Sequence, residues 1–495
     1  MTTAPSNPLG IQRLDLIRTQ AFIDGQWVGD AEGRTFGVFN PADGSLIVEV
    51  TDAGEDLAKT AGDAAALAFK TWRKTTAKGR SALLRAWFDL IMQHQADLAR
   101  LIAWEMGKPL AEAMGEVAYG ASYIEWFAEE AKHANGDVIP APQPGRQMMA
   151  VREPVGVVAV ITPWNFPIAM IARKLGPALA AGCTVVAKPA EDTPLSALAM
   201  MVLAAEAGIP PGVMNMVPAS RDRTPQVSQV WVDDKRVRKI SFTGSTPVGK
   251  LLAKGSSETL KRLSLELGGD APFIVFDDAD LDIAVDALMK AKFRNGGQTC
   301  VAANRVLVQD GVYDEFARRM TAMVATLTVG GSQDGAFDIG PLINQRALDK
   351  VERLVDEAVA GGARTVVGGA RVAGAGVFFQ PTLLLDAPND MRGSCEEIFG
   401  PVLALTRFSA EEEAVTLAND TTFGLAAYFC SKDLARVWRV AGELQTGMVG
   451  INEGAISSEA APFGGIKDSG YGREGSSHGL AEYQALKYVC LGGLG

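Results

Sequence analysis

The chain has 495 residues, 47% of them hydrophobic and 21% charged, with a formal net charge of −11. At roughly 100–200 residues per domain this length implies several domains with ample material for large cores. The acidic balance, without dense runs of Lys or Arg, excludes nucleic acid and membrane surfaces as partners, and no apolar run approaches the ~18 residues that span a bilayer.

The opening MTTAPSNPLGIQRLDL lacks the charged and apolar regions of a secretion signal and sets Asp15 between Arg13 and Arg18, so a cytoplasmic protein is expected. The segment from about 54 to 134 reads as helices, with apolar residues at helical spacing through DLAKTAGDAAALAFKTW and SALLRAWFDLIMQHQADLARLIAWEMG. GDVIPAPQPGRQMMA (136–150) breaks that pattern and reads as a linker or as an arm reaching another subunit. From 151 the pattern changes. VGVVAVITP, TVVAKP, GVMNMV and KISFTG are short apolar runs separated by helical stretches, the rhythm of βαβ units around a parallel sheet. After about 268 the alternation restarts with PFIVF, RVLVQ, TLLLD and AAYFCS, which predicts a second α/β domain.

Cysteines stand at 183, 300, 395, 430 and 490 without any CxxC, and His94, His133 and His478 are scattered. Neither a disulfide framework nor a metal site is expected, and the base of any enzyme would be a carboxylate or lysine. GYGREG (470–475) fits a dinucleotide loop, but too little chain follows it for a βαβ unit. GSTPVGK (244–250) nearly matches a P-loop, yet Leu251 stands where Mg²⁺ needs Ser or Thr. Its strand-to-helix turn can still approach a phosphate through backbone amides.

Three residues carry chemistry. Cys300 ends KFRNGGQTC, a polar, glycine-containing approach unlike the apolar runs around Cys183 and Cys430. It is either core filler or a nucleophile. Glu266, in LSLELGGD, ends an apolar run, so it lies on a solvated face or is buried with a raised pKa, as a general base requires. Asn165 of ITPWNFP is either a turn former or a donor to a developing oxyanion.

Taken together, LELGGD, KFRNGGQTC, ITPWNFP, VVAKPAEDTP, SFTGST, EEIFGP and PFGGIKDSGYGREG resemble the signatures of the aldehyde dehydrogenase superfamily, in its order, over nearly the whole chain. The resemblance implies an α/β, aldehyde dehydrogenase-like fold: a Rossmann-like cofactor domain (1–131 and 150–266), an α/β catalytic domain (267–474) and a β oligomerisation arm (132–149 and 475–495). An arm swapped between subunits makes a homodimer or homotetramer.

By the same resemblance Cys300 is the nucleophile, Glu266 the general base, and Asn165 with the Cys300 N–H the oxyanion hole. Thr162, Pro163, Trp164, Lys188, Glu191, Gly244, Ser245, Glu397 and Phe399 bind NAD or NADP. The thiolate adds to an aldehyde, the adduct loses hydride to the nicotinamide, and water activated by Glu266 hydrolyses the thioester. A carboxylate at Glu191 disfavours a 2′-phosphate, so NAD is the expected cofactor. KFRNGGQTC, INEGAISS and ALKYVCLGG are similar to the succinate-semialdehyde dehydrogenase branch, which implies that Arg173 and Arg294 grip the substrate's far carboxylate and Ser457 completes the site. Glutarate semialdehyde or an aminoaldehyde is the alternative substrate. Two positions depart from the pattern: Asp270 stands where Asn is usual, and Ala302 replaces a second cysteine that could form a disulfide with the nucleophile.

Overall fold

The structure is a computed structural model that describes residues 10–331, 335–387 and 396–493. The apolar runs Val157–Ile161 and Thr184–Lys188 are buried along their entire length, as strands covered by helices on both faces must be. They lie at the centre of an eight-stranded sheet ordered Gly470–Tyr471, Arg262–Glu266, Val237–Thr243, Val157–Ile161, Thr184–Lys188, Met214–Met216, Ala21–Ile23, Gln26–Val28. Its inner strands, from Arg262–Glu266 to Met214–Met216, are parallel, and Gly470–Tyr471 and the Ala21–Val28 hairpin add antiparallel edges.

A second sheet has seven strands, ordered Arg364–Val367, Thr382–Leu385, Val402–Phe408, Ala303–Gln309, Ala271–Val275, Ala426–Cys430, Met448–Ile451. All pairs but the first are parallel. The stretch 136–150 is not a plain linker. Asp137–Ile139 and Gln147–Pro154 form strands that join Gln484–Leu491 in a separate antiparallel sheet. The hairpin Thr35–Phe39/Leu46–Thr51 stands outside the expected elements, although Asp43-Gly44 between its strands is a turn signal.

The helical stretch resolves into Glu55–Trp72, Ala77–Gln93, Gln95–Glu105 and Leu110–Glu130. The second starts where the Thr76 hydroxyl accepts from Gly79 N, and the last starts after Pro109, both ordinary start signals. The helix Ala169–Ala181 is buried on every side and ends at Gly182, whose φ of 93° suits a left-handed cap. Its fixed position determines the turn before it, which carries Asn165. Among the described residues no helix is long and apolar enough to cross a membrane.

Candidate active site

In an open parallel sheet, ligands bind beyond the carboxyl ends of the strands, and the candidate residues collect there. Val157–Ile161 runs into Thr162, Pro163, Trp164 and Asn165, Thr184–Lys188 ends on Lys188, and Val237–Thr243 runs into Gly244 and Ser245. Glu266 closes the strand beside it. A cleft of about 170 Å³ is lined by Pro163, Trp164, Asn165, Met170, Thr243, Gly244, Ser245, Leu267, Gly268, Cys300, Glu397 and Phe399. Eight residues singled out in the sequence thus meet in one place. Thr243, Met170, Leu267 and Gly268 also line it. Thr243, Leu267 and Gly268 stand inside the quoted motifs SFTGST and LELGGD, and Met170 three residues after ITPWNFP, which is the signal that could have found them.

Cys300 follows a turn built for close approach. Asn295, Gly296 and Gly297 all have positive φ (55°, 60° and 75°). A Cβ at Gly297 would lie 2.2 Å from the Gly400 carbonyl oxygen, so this position admits only glycine. Asn295 Nδ2 donates to the carbonyls of Asn165 (2.9 Å) and Gln298 (3.2 Å), and Asn165 Nδ2 donates to Gln298 O (3.0 Å). These bonds tie the turn before Cys300 to the turn bearing Asn165. Asn165 Oδ1 has no partner. Burial, with Glu397 nearby, pushes the Cys300 thiol up to about 12, and Arg173 and Arg294 oppose that shift. The thiol is therefore protonated near neutral pH and must lose its proton as it attacks.

Glu266 lies at the centre of a buried charge cluster. Its carboxylate oxygens make no hydrogen bond, and burial together with the Glu474 carboxylate holds its pKa well above the usual range while Arg173 and Lys174 pull it down. The side chain lies against Gly464, where a Cβ would come within 2.8 Å of Glu266 Oε1. Glu266 itself is absent from the lining of the Cys300 cleft, although Leu267 and Gly268 are part of it.

On the other wall, the Trp164 and Phe399 rings meet edge to face at 5.5 Å. Phe399 has a φ of 56°, a strained value for an aromatic residue. Glu397 accepts from Gly269 N at 2.7 Å, and burial raises its carboxyl to about 7. Lys188 Nζ pairs with Glu191 at 2.8 Å, and Thr162 N donates to Lys188 O. Glu191 lines a second cavity, about 400 Å³, with Ser220, Arg221 and Asn344.

This donor set fits a pyridine dinucleotide. The 11-residue helix Thr246–Ser256 begins at the cleft with unpaired backbone amides. The buried Thr243 Oγ1 on the cleft wall has no partner, and Glu191 and Glu397 offer carboxylates to ribose hydroxyls.

The residues expected to hold the substrate do not line the Cys300 cleft. Arg173 is fully buried, 2.8 Å from Glu474 Oε2, with its guanidinium 3.9 Å from the Phe463 ring. Arg173 Nη1 lies 4.0 Å from the sulfur of Met170, which does line the cleft. Arg294 is half-buried, 5.1 Å from the Phe166 ring, and lines a separate cavity of about 520 Å³ with Glu112, Lys290 and Asp338. Ser457 is half-buried and has no hydrogen bond among the described residues. Its neighbour Ser458 accepts from the Tyr123 hydroxyl, whose ring lies under Arg173.

The departure at Asp270 has a local explanation: it forms an ion pair with Arg305 at 2.9 Å and accepts from Asn304 Nδ2 at 2.7 Å. Burial pushes the Cys183 and Cys430 thiols up to about 11 and 12, as suits inert core residues. Cys395 lies outside the described residues.

A nucleophilic thiol tied to an amide donor, a buried carboxylate and a dinucleotide-shaped cleft define a class of oxidoreductase, and similarity to known proteins agrees. The model of the "Aldehyde dehydrogenase family" matches residues 27–489, and the chain belongs to that family, whose members are NAD(P)-dependent enzymes that oxidise aldehydes.

Among its relatives, a 3-sulfolactaldehyde dehydrogenase of Pseudomonas putida is 52% identical over 97% of this chain and 98% of its own. A succinate-semialdehyde dehydrogenase [NADP(+)] of Escherichia coli (strain K12) is also 52% identical, over 97% and 98%. The crystal structure of succinate-semialdehyde dehydrogenase from Burkholderia pseudomallei superposes with a TM-score of 0.96 at 52% identity, over 98% of this chain and 100% of that one.

Proposed function

We propose that the chain oxidises an ω-carboxy aldehyde, succinate semialdehyde foremost, to the dicarboxylic acid. The observation that carries this reading is the place of two guanidinium groups: Arg173 Nη1 lies 4.0 Å from the sulfur of Met170 on the cleft wall, and Arg294 opens the turn that leads to Cys300. An arginine grips a carboxylate through two parallel hydrogen bonds, which a neutral side chain cannot match.

In this reading Cys300 Sγ passes its proton to Glu266, which releases it to solvent, and attacks the carbonyl carbon, while Asn165 Nδ2 with the Cys300 N–H holds the alkoxide. NAD(P)⁺, when bound, supplies the hydride acceptor that leaves a thioester on Cys300. Glu266 then takes a proton from water, which displaces the sulfur and releases the acid. For both proton transfers the Glu266 carboxylate turns from the Gly464 side towards the sulfur.

The cofactor part of the proposal is NAD⁺ over NADP⁺, because the Glu191 carboxylate repels a 2′-phosphate. Arg221, in the same cavity, works against that preference. The domain limits proposed are 1–131 with 150–266 for cofactor, 267–474 for catalysis, and 132–149 with 475–495 for the arm. Val138, Leu486 and Tyr488 stand exposed on the three-stranded sheet, which supports burial against another subunit in a homodimer or homotetramer. A cytoplasmic location keeps the Cys300 thiol reduced.

The experiment is initial-rate NAD(P)H formation from succinic semialdehyde, glutaric semialdehyde, 3-sulfolactaldehyde, butanal and 4-aminobutanal, each with both cofactors. A kcat/KM for succinic semialdehyde at least about tenfold above butanal supports the paired arginines. A flat profile, or a preference for 4-aminobutanal, overturns the substrate assignment. The sulfonate is included because guanidinium also grips that group.

A further inference from the structure

We propose that Lys108 is a positioning residue for the oxyanion hole, held in place by Glu116 and Glu112. The inference rests on reading Asn165 as the oxyanion donor, and it concerns residues behind the site that contact no substrate.

Lys108 sits in the turn before the helix Leu110–Glu130, and its ammonium is as fully buried as the core around it: its side chain and that of Glu116 are each 1% exposed. A buried ammonium persists only where its donors are used. Here they go to Glu116 Oε2 and to the main-chain carbonyl of Asn165 at 2.9 Å, with the Phe166 ring 4.1 Å away.

The acids are occupied as well. Glu116 Oε1 accepts from Ile168 N at 2.9 Å and reaches Ala169 N at 3.4 Å, where the helix carrying Arg173 begins. Glu112 Oε2, one turn earlier on the same face, accepts from Asn295 N at 2.8 Å. Asn295 in turn donates to the same Asn165 carbonyl. One helix and the turn that opens it therefore hold the peptide that bears the Asn165 side chain and also the turn that presents Cys300. The Asn165 carbonyl receives two donors, one of them cationic, and can neither flip nor drift without stranding a buried charge. An amide donor works only when it stands about 2.7–3.1 Å from the alkoxide oxygen it serves, and these groups hold its peptide in place.

The test is a double-mutant cycle with Lys108→Met and Asn165→Ala, reading kcat with the preferred aldehyde and, separately, NADH affinity by fluorescence titration. Asn165→Ala is expected to lower kcat about 10²–10³-fold. Lys108→Met is expected to lower it about tenfold or more, with NADH affinity unchanged within about twofold. In the Asn165→Ala background, Lys108→Met should cost less than about threefold, because nothing remains to position. Costs that multiply in full, or a loss of NADH affinity equal to the loss of kcat, overturn the proposal. If instead Asn165→Ala costs nothing, the oxyanion reading itself has failed. Should Lys108→Met not fold, Glu116→Gln completes the cycle: it removes the counter-charge while an amide oxygen still accepts from Ile168 N.

Discussion

The two sides of Cys300 are built from different materials. Towards Trp164, Gly244, Glu397 and Phe399 the walls are strand ends and turns, with the Trp164 and Phe399 rings locked edge to face. Towards Arg173 and Arg294 they are long side chains reaching out from a helix and a 3-10 turn, each engaged elsewhere: Arg173 with Glu474, Arg294 beside Phe166. The first side is preorganised by the sheet. On the proposed function the second exchanges partners when an anionic aldehyde arrives, the Arg173 contact with Glu474 competing with one to the substrate carboxylate.

Cys300→Ala breaks both sides at once and has the largest effect. Turnover is lost with every aldehyde, whereas NADH titration shows cofactor affinity within about threefold of the parent; residual turnover on the parent scale would remove Cys300 from the mechanism. Next comes Arg294→Ala, which separates the sides. Losing a charge-assisted contact of about 1.5–3 kcal/mol raises KM for succinic semialdehyde by roughly 10–100-fold, while KM for butanal and for the cofactor stays nearly constant. Equal rises with both aldehydes would show that Arg294 does not read a carboxylate.

Glu191→Ser sharpens the other side. It lowers the NAD⁺:NADP⁺ ratio of kcat/KM by about tenfold and leaves the order of aldehydes untouched. An unchanged ratio would move cofactor choice to Arg221 or beyond.

The smallest effect is on pH. The raised Glu266 pKa leaves it protonated, and idle as a base, at low pH, so kcat rises with pH through that pKa. In Glu474→Gln the like charge is gone while Arg173 and Lys174 remain, which lowers the Glu266 pKa and shifts the acid limb of the kcat profile to lower pH. A shift to higher pH, or none, would separate Glu474 from the base.

The same contrast explains what could be read from the sequence. Asn165, Gly244, Cys300 and Phe399 sit in turns, where few residue types are allowed, and their motifs place them together without knowledge of distant contacts. The orientation of Arg173 depends on Glu474, 301 residues later in the chain, and its neighbour Lys174 contacts the same acid, so no local pattern distinguishes the two. Lys108, Glu112 and Glu116 escaped notice because charged residues at i, i+4 on a helix usually mark a solvated face. Only the fold reveals that this face is buried. The arm strands were obscured by the prolines and glycines that form the turn between them.

The strand that ends on Glu266 pairs on one side with Val237–Thr243 and on the other with Gly470–Tyr471. That second partner is made some 200 residues after the strand it joins. Closing a loop of some 200 residues carries an entropic cost that grows only with the logarithm of its length, but it cannot begin before both ends exist. During synthesis the sheet can assemble around Val157–Ile161 and accept a nucleotide while the edge beside the base is still open. Activity on the ribosome should therefore lag behind cofactor binding, and a chain stopped short of residue 470 should bind without turning over.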